Sequence, residues 1–338
     1  MINHQVRLAA RPVGLPKASD WQFTEEQIDA PGPGGLIVKV LMVSLDPAMR
    51  GWMNDVKSYV PPVGIGEVMR AGAVGEVIVS NHSDWPVGTY VNGLLGVQEY
   101  VRIDAGDVRR VALKRIDVGI AAPEKWLNAL GMPGMTAYFG LLEVGLVHAG
   151  ETVVVSAAAG AVGQTVGQIA KLKGCRVVGI AGGPAKCEWV VKELGLDACI
   201  DYKNQDIDAA LKTHCPDGVD VYFDNVGGEI LDTVLKHLRR QARVVICGSI
   251  SQYNASGPVK GLMNVRSLLV NRARMEGMIV FDYADRYDEA IKAISGWMAA
   301  GRLVSREHID EGLANFPSTF VKLFTGENFG KLILKVAS

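Results

Sequence analysis

Two glycines in the stretch AAAGAVGQ, Gly160 and Gly163, follow a run of apolar residues and precede a segment with helical spacing. The run TVVVSAA predicts a strand buried on both faces, and Val166 and Ile169 predict the buried face of a helix. Glycines at such a junction let a phosphate approach the N–H groups of the helix N-terminus. Ala158 occupies the first position of the usual G-x-G-x-x-G pattern. The context predicts a dinucleotide-binding loop, and a tight turn without a ligand is the alternative.

The residues after the next predicted strand distinguish between two dinucleotides. NAD sites usually place Asp or Glu about 20 residues after the loop, where the carboxylate binds the ribose 2′-hydroxyl. Here the stretch VVGIAGGPAKC has Ala181 at that place and no carboxylate, and Lys186 follows. Because an ammonium attracts a 2′-phosphate that a carboxylate would repel, NADP(H) is favoured over NAD(H). An exposed lysine in the first turn of a helix is the alternative for Lys186.

Length and composition restrict the class of protein. The 338 residues allow two domains, and a net charge of −1 with no dense basic run predicts no nucleic-acid partner. Neither a signal-peptide core nor an apolar run of membrane-spanning length is present, so we expect a cytoplasmic protein that does not enter a membrane. The five cysteines contain no C-x-x-C pair, which is typical of reduced thiols.

The pattern of elements predicts an α/β protein. From Glu151 onward, strand and helix segments alternate, which predicts a Rossmann-type doubly wound parallel sheet. The last helix before the strand ARVVICGSI is predicted over EILDTVLKHLRR. Earlier short strands with turn signals, such as GGLIVKVLMVSL, predict a β-rich, barrel-like domain to which the tail strand FGKLILKV returns. We expect residues 1–124 and 300–338 in the β-rich domain and residues 125–299 in the nucleotide domain.

A catalytic zinc ion is not expected. Such a site needs three Cys, His or Glu ligands, but the N-terminal domain contains no cysteine. His4, His82 and His148 do not have a ligand spacing. Without a Lewis acid, chemistry that uses a hydroxyl or backbone donor is favoured.

Several longer segments resemble a known family. These segments are SLDPAMRGWM, GMPGMTAYFGLLEVG, AAAGAVGQTVGQIAKLKGCRVVGIAGG, YFDNVGGEILD, CGSISQYN and GENFGKLIL. They are similar to the zinc-independent medium-chain dehydrogenase/reductases, and most of all to the NADPH-dependent double-bond reductases. The resemblance implies a GroES-like β-rich domain in addition to the Rossmann domain. It also implies reduction of the C=C bond of α,β-unsaturated carbonyls without zinc.

The resemblance further implies a set of residues that contact NADP(H). The set comprises the glycine loop, two groups at the 2′-phosphate, and several stretches around the nicotinamide half of the cofactor. Its members are Thr136, Gly160, Ala161, Val162, Gly163, Lys186, Tyr202, Asn225, Cys247, Gly248, Ser249, Ile250, Ser251, Tyr253, Met278, Ile279, Val280 and Asn328.

Tyr253, in ISQYN, is the predicted catalytic residue. Hydride addition to the β-carbon leaves an enolate, whose oxygen needs a donor where charge develops. Tyr253 matches the tyrosine that the family places near that oxygen, and a phenol is protonated at neutral pH. A purely pocket-lining role is the alternative. The implied substrate pocket contains Tyr253, Ala48, Trp52 and Tyr59; family members often carry an aromatic residue where this chain has Ala48, which implies a differently shaped apolar pocket.

Two further expectations concern assembly and alternative activities. The resemblance implies a homodimer joined through sheet edges, with RMEGMIVF as the candidate edge strand. A zinc-free quinone reductase and a catalytically idle NADPH-binding protein are the alternative functions. The segments DPAMRGWM and ISQYN favour the double-bond reductase.

Overall fold

The computed structural model describes residues 1–336, which form two compact units. One unit contains Met1–Leu127 and the chain from Glu307 onward, and the other contains Asn128–Arg306. These divisions lie a few residues from the boundaries expected from the sequence, because a strand begins at Glu307 and pairs within the first unit. Among the described residues, no helix has the length and apolar character needed to cross a membrane.

The elements are numbered along the chain. The strands are β1 (Ile2–Leu8), β2 (Trp21–Gln27), β3 (Leu36–Ser44), β4 (Ala73–Ser80), β5 (Tyr90–Gly93), β6 (Tyr100–Ile103), β7 (Lys114–Arg115), β8 (Thr152–Ser156), β9 (Arg176–Ala181), β10 (Ala198–Asp201), β11 (Val219–Asp224), β12 (Leu238–Ile246), β13 (Arg274–Gly277), β14 (Glu307–Glu311) and β15 (Lys331–Lys335). The helices are α1 (Ala48–Trp52), α2 (Met132–Phe139), α3 (Ala161–Leu172), α4 (Pro184–Lys192), α5 (Ile207–His214), α6 (Gly228–Leu235), α7 (Arg266–Asn271), α8 (Tyr287–Ala299) and α9 (Phe316–Thr325). Short 3₁₀ turns cover Ala18–Asp20, Pro123–Leu127, Val280–Arg286 and Leu313–Asn315, and a π-helical turn covers Gly140–Val144.

The first unit is built around β3. This strand pairs antiparallel with β4, β6 and β15, and the sheet runs in the order β14-β15-β3-β4-β5-β7. A strand with neighbours on both sides is mostly buried, and LIVKVLMVS is apolar almost throughout. β1 and β2 form a separate antiparallel pair. The C-terminal strand is therefore part of the same sheet as strands from the first hundred residues.

A buried ion pair connects that C-terminal strand to the segment before α1. The ammonium of Lys331 on β15, which is 1% exposed, lies 2.6 Å from an Asp46 carboxylate oxygen and donates to the Leu45 carbonyl at 2.8 Å. The other Asp46 oxygen accepts from the Ser44 hydroxyl at 2.5 Å. Burial lowers the pKa of Lys331, and the Asp46 charge opposes that effect. The pair fixes the start of α1, which carries Ala48 and Trp52.

We expect the removal of one partner of this ion pair to lower the free energy of unfolding more than the removal of both partners. The substitution Lys331→Met leaves Asp46 buried without its partner and should lower the free energy of unfolding by about 3 kcal/mol. The double variant Asp46→Ala/Lys331→Met should be more stable than the single variant, because no lone charge stays buried. Urea denaturation of the three proteins measures this difference. Equal stability of the single and double variants would contradict the coupling.

The second unit contains a six-stranded parallel sheet in the order β10-β9-β8-β11-β12-β13. Numbered within the unit, this is the order 3-2-1-4-5-6 of a Rossmann-type fold, which confirms the predicted fold class. The order reverses between β8 and β11, and ligands of such sheets bind at the carboxyl ends of the strands beside that reversal. One predicted element differs: the helix expected over EILDTVLKHLRR ends at Leu235, because Leu238 begins β12 and pairs with Val219.

Candidate cofactor site

The glycine loop lies at the carboxyl end of β8 and leads directly into α3. Ala157 adopts a left-handed conformation with φ +50°, and Gly160 is the N-cap of α3. A Cβ placed on Gly163 would lie 2.2 Å from the Ala157 carbonyl oxygen, so only glycine lets the first turn approach the loop this closely. The first N–H groups of a helix have no partner within the helix and favour an anion. The Gly160 N–H donates to the Ala157 carbonyl at 2.8 Å, and Ala161, Val162 and Gly163 form the first turn of α3. Pyrophosphate binding by Gly160, Ala161, Val162 and Gly163 stays a prediction.

Ala158 fits the first position of the loop because a neighbouring strand makes room for it. Its N–H donates to the Ile180 carbonyl at 3.0 Å, and its side chain is fully buried. The methyl group faces Gly179 on β9, where an added Cβ would lie only 2.8 Å away. Ala158 has a methyl group where the usual loop has glycine. The absence of a side chain at Gly179 leaves room for this methyl group. The loop motif by itself does not contain this information.

The ends of β9 and β10 form a basic corner, defined here as Lys186, Tyr202 and Lys203 with the turn Gly182–Gly183. The Tyr202 ring lies against Gly182, where an added Cβ would be 2.8 Å from a ring carbon and 3.0 Å from the hydroxyl oxygen. Burial lowers the pKa of Lys186, and the nearby positive charge of Lys203 lowers it further. The structure therefore brings Lys186 and Tyr202 to one corner. Lys203 is an additional cation there, which the sequence analysis missed although it follows Tyr202 directly.

A carboxylate is present at this corner after all, and backbone and amide N–H groups donate to both of its oxygens. Asp201, the last residue of β10, accepts from the Gly183 N–H at 2.7 Å and from the Lys203 N–H at 3.1 Å. The Asn204 amide donates to its other oxygen at 2.7 Å. These bonds stabilise the carboxylate and hold the Gly182–Gly183 turn against Tyr202. Asp201 belongs to β10, so it does not stand among the residues that follow β9 in the sequence.

A buried polar network joins the carboxyl ends of β8 and β11, where the strand order reverses. The Asp224 carboxylate accepts from the Ser156 hydroxyl at 3.1 Å, the Tyr222 hydroxyl at 2.8 Å and the Gly227 N–H at 3.0 Å. Burial raises the pKa of this carboxyl group. Asn225 is held by two bonds to Ser156, from its N–H to the hydroxyl oxygen at 2.9 Å and from its amide to the carbonyl at 2.8 Å. The predicted Asn225 is thus immobilised beside the glycine loop.

The segment from Cys247 to Tyr253 follows β12 and folds against the end of β11. The N–H groups of Cys247 and Gly248 donate to the Asp224 carbonyl at 2.9 and 3.2 Å. The Ser249 N–H donates to the Tyr253 hydroxyl at 3.2 Å, and an added Cβ on Gly248 would lie 3.1 Å from that hydroxyl. Tyr253 therefore lies directly on the backbone of the predicted contact segment Cys247, Gly248, Ser249, Ile250 and Ser251. Burial raises the pKa of the Cys247 thiol to about 12, which makes it a poor nucleophile.

The segment Met278, Ile279 and Val280 follows β13 at the same edge of the sheet. The Met278 N–H donates to the Ile246 carbonyl at 3.1 Å, and the Val280 carbonyl accepts from the Tyr287 hydroxyl at 3.0 Å. The Met278 methyl would be 3.5 Å from a Cβ on Gly140, at the end of the helix that contains Thr136. The Thr136 hydroxyl donates to a carbonyl of its own helix at 2.8 Å. Thr136 and the segments 247–253 and 278–280, all predicted to contact the cofactor, thus belong to the same compact unit.

The other predicted residues belong to the first unit. Trp52 is buried, and its indole N–H donates to the hydroxyl of the exposed Tyr59 at 3.2 Å. The Arg70 guanidinium lies 5.7 Å from the centre of the Trp52 ring. Ala48 begins the same helix, α1. The Asn328 amide donates to the Gly330 carbonyl at 3.0 Å, just before β15. Substrate and cofactor roles for these residues stay predictions.

Within residues 1–336, no three His, Cys, Asp or Glu side chains are grouped so that they could hold a metal ion.

Comparison with known proteins places the chain in a family. Residues 4–111 match a family model described as the N-terminal domain of oxidoreductase, and residues 161–296 match one described as zinc-binding dehydrogenase. The NADPH-dependent curcumin reductase of Escherichia coli (strain K12) is 43% identical over 340 residues, covering 99% of this chain and 97% of that protein. The chain belongs to the medium-chain dehydrogenase/reductases.

Other members of this family agree with that assignment. The NADP(+)-dependent 2-alkenal reductase of Nicotiana tabacum is 40% identical, covering 99% of this chain and 98% of its own. The crystal structure of CurA from Vibrio vulnificus in complex with NADPH superposes with a TM-score of 0.93 at 43% identity, covering 99% of both chains. The predicted resemblance to the double-bond reductases within the medium-chain dehydrogenase/reductases is confirmed.

Proposed function

We propose that this medium-chain dehydrogenase/reductase catalyses the NADPH-dependent reduction of the C=C bond of α,β-unsaturated aldehydes and ketones, without zinc. The observation that carries the proposal is the Tyr253 hydroxyl, which lies against the Gly248–Ser249 backbone in the same unit as the glycine loop and the basic corner. The reductases of curcumin and 2-alkenals, 43% and 40% identical along nearly the whole chain, support it.

The residues of the second unit fit NADP(H) at both of its ends. The backbone of the Gly160–Gly163 loop would hold the pyrophosphate at the first turn of α3, and Lys186, Tyr202 and Lys203 would hold the 2′-phosphate. Asn225, Thr136 and the segments 247–251 and 278–280 would hold the nicotinamide half. A cofactor contact of Asn328 is proposed from the family resemblance alone. When bound, NADPH supplies the hydride that reduces the β-carbon of the substrate.

Tyr253 is the proposed donor to the carbonyl oxygen of the substrate. Charge develops on this oxygen as the enolate forms, and a donor placed there stabilises the transition state more than the ground state. The Ser249 N–H bonded to the Tyr253 oxygen polarises the phenol and makes its O–H a stronger donor. Ala48, Trp52 and Tyr59 are the proposed contacts of the apolar part of the substrate.

A substrate panel tests this function. The purified protein should oxidise NADPH with 2-alkenals and with enones of the benzalacetone type, and the product should be the saturated carbonyl compound. A panel of 1,4-quinones serves as the comparison. Fast turnover of quinones with none of enals or enones would establish the quinone reductase instead. No turnover of either class would favour an NADPH-binding protein without catalysis, and stoichiometric zinc in metal analysis would contradict the zinc-free mechanism.

Cofactor preference depends on the basic corner. The substitution Lys186→Met should raise the KM for NADPH about tenfold, because one hydrogen bond to a charged group is lost, and should leave the KM for NADH nearly unchanged. Steady-state kinetics with both cofactors measure this. Lys192→Met on the same helix is the matched control, because Lys192 forms an exposed ion pair with Glu188 and its loss should not affect either KM. An equal change for NADPH and NADH would remove Lys186 from the 2′-phosphate site.

The proposed assembly is a homodimer formed through β13, the edge strand of the parallel sheet. All four residues of β13 are exposed, and the preceding helix α7 exposes Leu269 by 78% and Val270 by 58%. An exposed edge with apolar neighbours suits pairing with a second copy. Light scattering should give the mass of a dimer, and Leu269→Lys should shift it toward a monomer. A monomeric wild-type protein would refute the dimer.

We further propose that the two compact units correspond to the predicted substrate and nucleotide domains, and that the protein acts in the cytoplasm. Limited proteolysis tests the first point, since cleavage should concentrate near residues 127 and 306. Fractionation of cells that express the protein tests the second, and recovery outside the cytoplasmic fraction would contradict it.

A further inference from the structure

The carboxylate of Asp201 connects the parts of the basic corner. Asp201 is 8% exposed and ends β10, where one of its oxygens accepts from the Gly183 N–H at 2.7 Å and from the Lys203 N–H at 3.1 Å. The Asn204 amide donates to the other oxygen at 2.7 Å. The carboxylate therefore joins the turn that precedes α4 to the residues that follow β10.

The hydrogen bond to Gly183 fixes the start of the helix that carries Lys186. Gly183 is the N-cap of α4 and has φ +95°, a conformation that favours glycine. Its carbonyl oxygen accepts from the Cys187 N–H at 3.2 Å, which closes the first helical turn. Because Asp201 holds the N–H of the same glycine, it determines where this turn begins, and Lys186 belongs to the turn.

The hydrogen bond to Lys203 fixes the other side of the corner. Tyr202 precedes Lys203 in the chain, and its N–H donates to the Ala181 carbonyl at 3.1 Å. The Tyr202 ring lies against the first residue of the turn Gly182–Gly183, whereas the Asp201 carboxylate binds the second. The three side chains of the basic corner thus depend on backbone segments that meet at Asp201.

We propose that Asp201 is a positioning residue for dinucleotide preference, whose carboxylate aligns Lys186, Tyr202 and Lys203 for the 2′-phosphate of NADP(H) through these hydrogen bonds. The inference rests on the proposed 2′-phosphate site. It gives this acidic residue the opposite effect to that of its charge alone, because a carboxylate near a phosphate repels it. Hydrogen-bond geometry and charge therefore predict opposite results when Asp201 is replaced.

Binding of adenosine 2′,5′-bisphosphate and of adenosine 5′-monophosphate measures this preference without catalysis, because only the first ligand carries a 2′-phosphate. Isothermal titration calorimetry of the wild-type protein should give the lower Kd for the bisphosphate. In Asp201→Ala, the Kd for the monophosphate divided by that for the bisphosphate should fall about tenfold, as expected when one charged contact is misaligned. The Kd for the monophosphate should change little.

Asp206→Ala is the matched control for this measurement. The Asp206 carboxylate also accepts a backbone N–H, that of Ala209 at 2.8 Å, but it does so at the start of α5 and has no bond to the turn before α4. Its loss should leave the ratio of the two dissociation constants unchanged.

Two further substitutions separate geometry from charge. Asp201→Asn removes the charge but keeps an oxygen for the Gly183 and Lys203 N–H groups, and the Asn204 amide can turn over to accept from the new amide group. This variant should retain or exceed the wild-type ratio. Asp201→Glu keeps the charge but moves the carboxylate by one methylene group, and it should lower the ratio as Asp201→Ala does. These two variants decide between geometry and charge even where Asp201→Ala does not fold.

Separate outcomes count against the role of Asp201 and against the proposed site. A ratio that is unchanged or higher in Asp201→Ala or Asp201→Glu would overturn the proposal, and so would Asp201→Asn if it were as impaired as Asp201→Glu. Equal loss of affinity for both ligands would also overturn it, since the disturbance would then be general. If Lys186→Met lowers the ratio and Asp201→Ala does not, only the role of Asp201 fails. A wild-type protein that binds both ligands equally would contradict the proposed 2′-phosphate site itself.

Discussion

Replacement of Tyr253 by phenylalanine is expected to lower kcat for enone reduction about a hundredfold, the size of effect seen when one donor to a developing oxyanion is removed. The structure places the hydroxyl against Gly248 and Ser249, where it accepts the Ser249 N–H. The ring of phenylalanine fills the same volume, so packing against the backbone should be retained. The dissociation constant for NADPH should therefore change little, and stopped-flow measurement of NADPH oxidation should locate the loss in the chemical step.

Tyr138→Phe is the matched control for this experiment. It removes a phenolic hydroxyl from the same unit, where that group donates to Glu289 at 3.0 Å on the surface, and should leave kcat unchanged. Retention of full kcat by Tyr253→Phe would remove Tyr253 from the mechanism and leave it only a pocket-lining role. A rise in KM with unchanged kcat would have the same meaning, because the hydroxyl would then act equally in the ground and transition states.

The substitution Gly163→Ala is expected to lower the free energy of unfolding by about 3 kcal/mol, at the upper end of the cost of inserting a methyl group into a packed interior. Its Cβ would lie 2.2 Å from the Ala157 carbonyl oxygen and 2.9 Å from the Ala158 Cα, which are backbone atoms that cannot move aside as a flexible side chain can. The first turn of α3 must then separate from the loop. NADPH binding should be lost with it, as measured by fluorescence titration, and stability by urea denaturation.

Gly296→Ala separates this steric effect from the general effect of alanine in a helix. Gly296 lies within α8, and an added Cβ there would have no heavy atom within 4 Å. Because alanine is the better helix former, this variant should be more stable than the wild type by about 0.5–1 kcal/mol. If Gly163→Ala were equally harmless, the loop would not require the close approach that the structure shows.

Much of the nucleotide-binding unit was predictable from local sequence patterns. The apolar run before Gly160 and the helical spacing after it predicted a strand, a loop and a helix. A strand that is buried on both faces is apolar throughout, whereas a helix that is buried on one face is apolar at every third or fourth residue. The absence of an acid at Ala181 and the presence of Lys186 predicted NADP(H). A carboxylate binds the ribose 2′-hydroxyl of NAD(H), whereas a cation binds the 2′-phosphate of NADP(H). These inferences need only residues that are close together in the chain.

Prediction failed where pairing between strands overrode local preference. The apolar spacing of EILDTVLKHLRR suits a helix to its end, yet the helix ends at Leu235 because Leu238 enters the sheet beside β11. Hydrogen bonds to a neighbouring strand are not visible in the periodicity of one segment. The same limit applies to Asp201, whose carboxylate appeared only when β10 was placed next to β9.

The sequence by itself determined the fold class and the family, and it predicted a glycine loop and a basic residue for a 2′-phosphate, because each depends on neighbouring residues or on motifs of recognisable length. Tertiary structure alone decided why Ala158 fits beside Gly179, how Ser156 immobilises Asn225, and that Asp201 supports the turn at Gly183. In each case the partners belong to different strands or to the loops that follow them, and the strand order of the sheet determines their distance. Packing of this kind joins residues whose separation along the chain has no fixed relation to their separation in space.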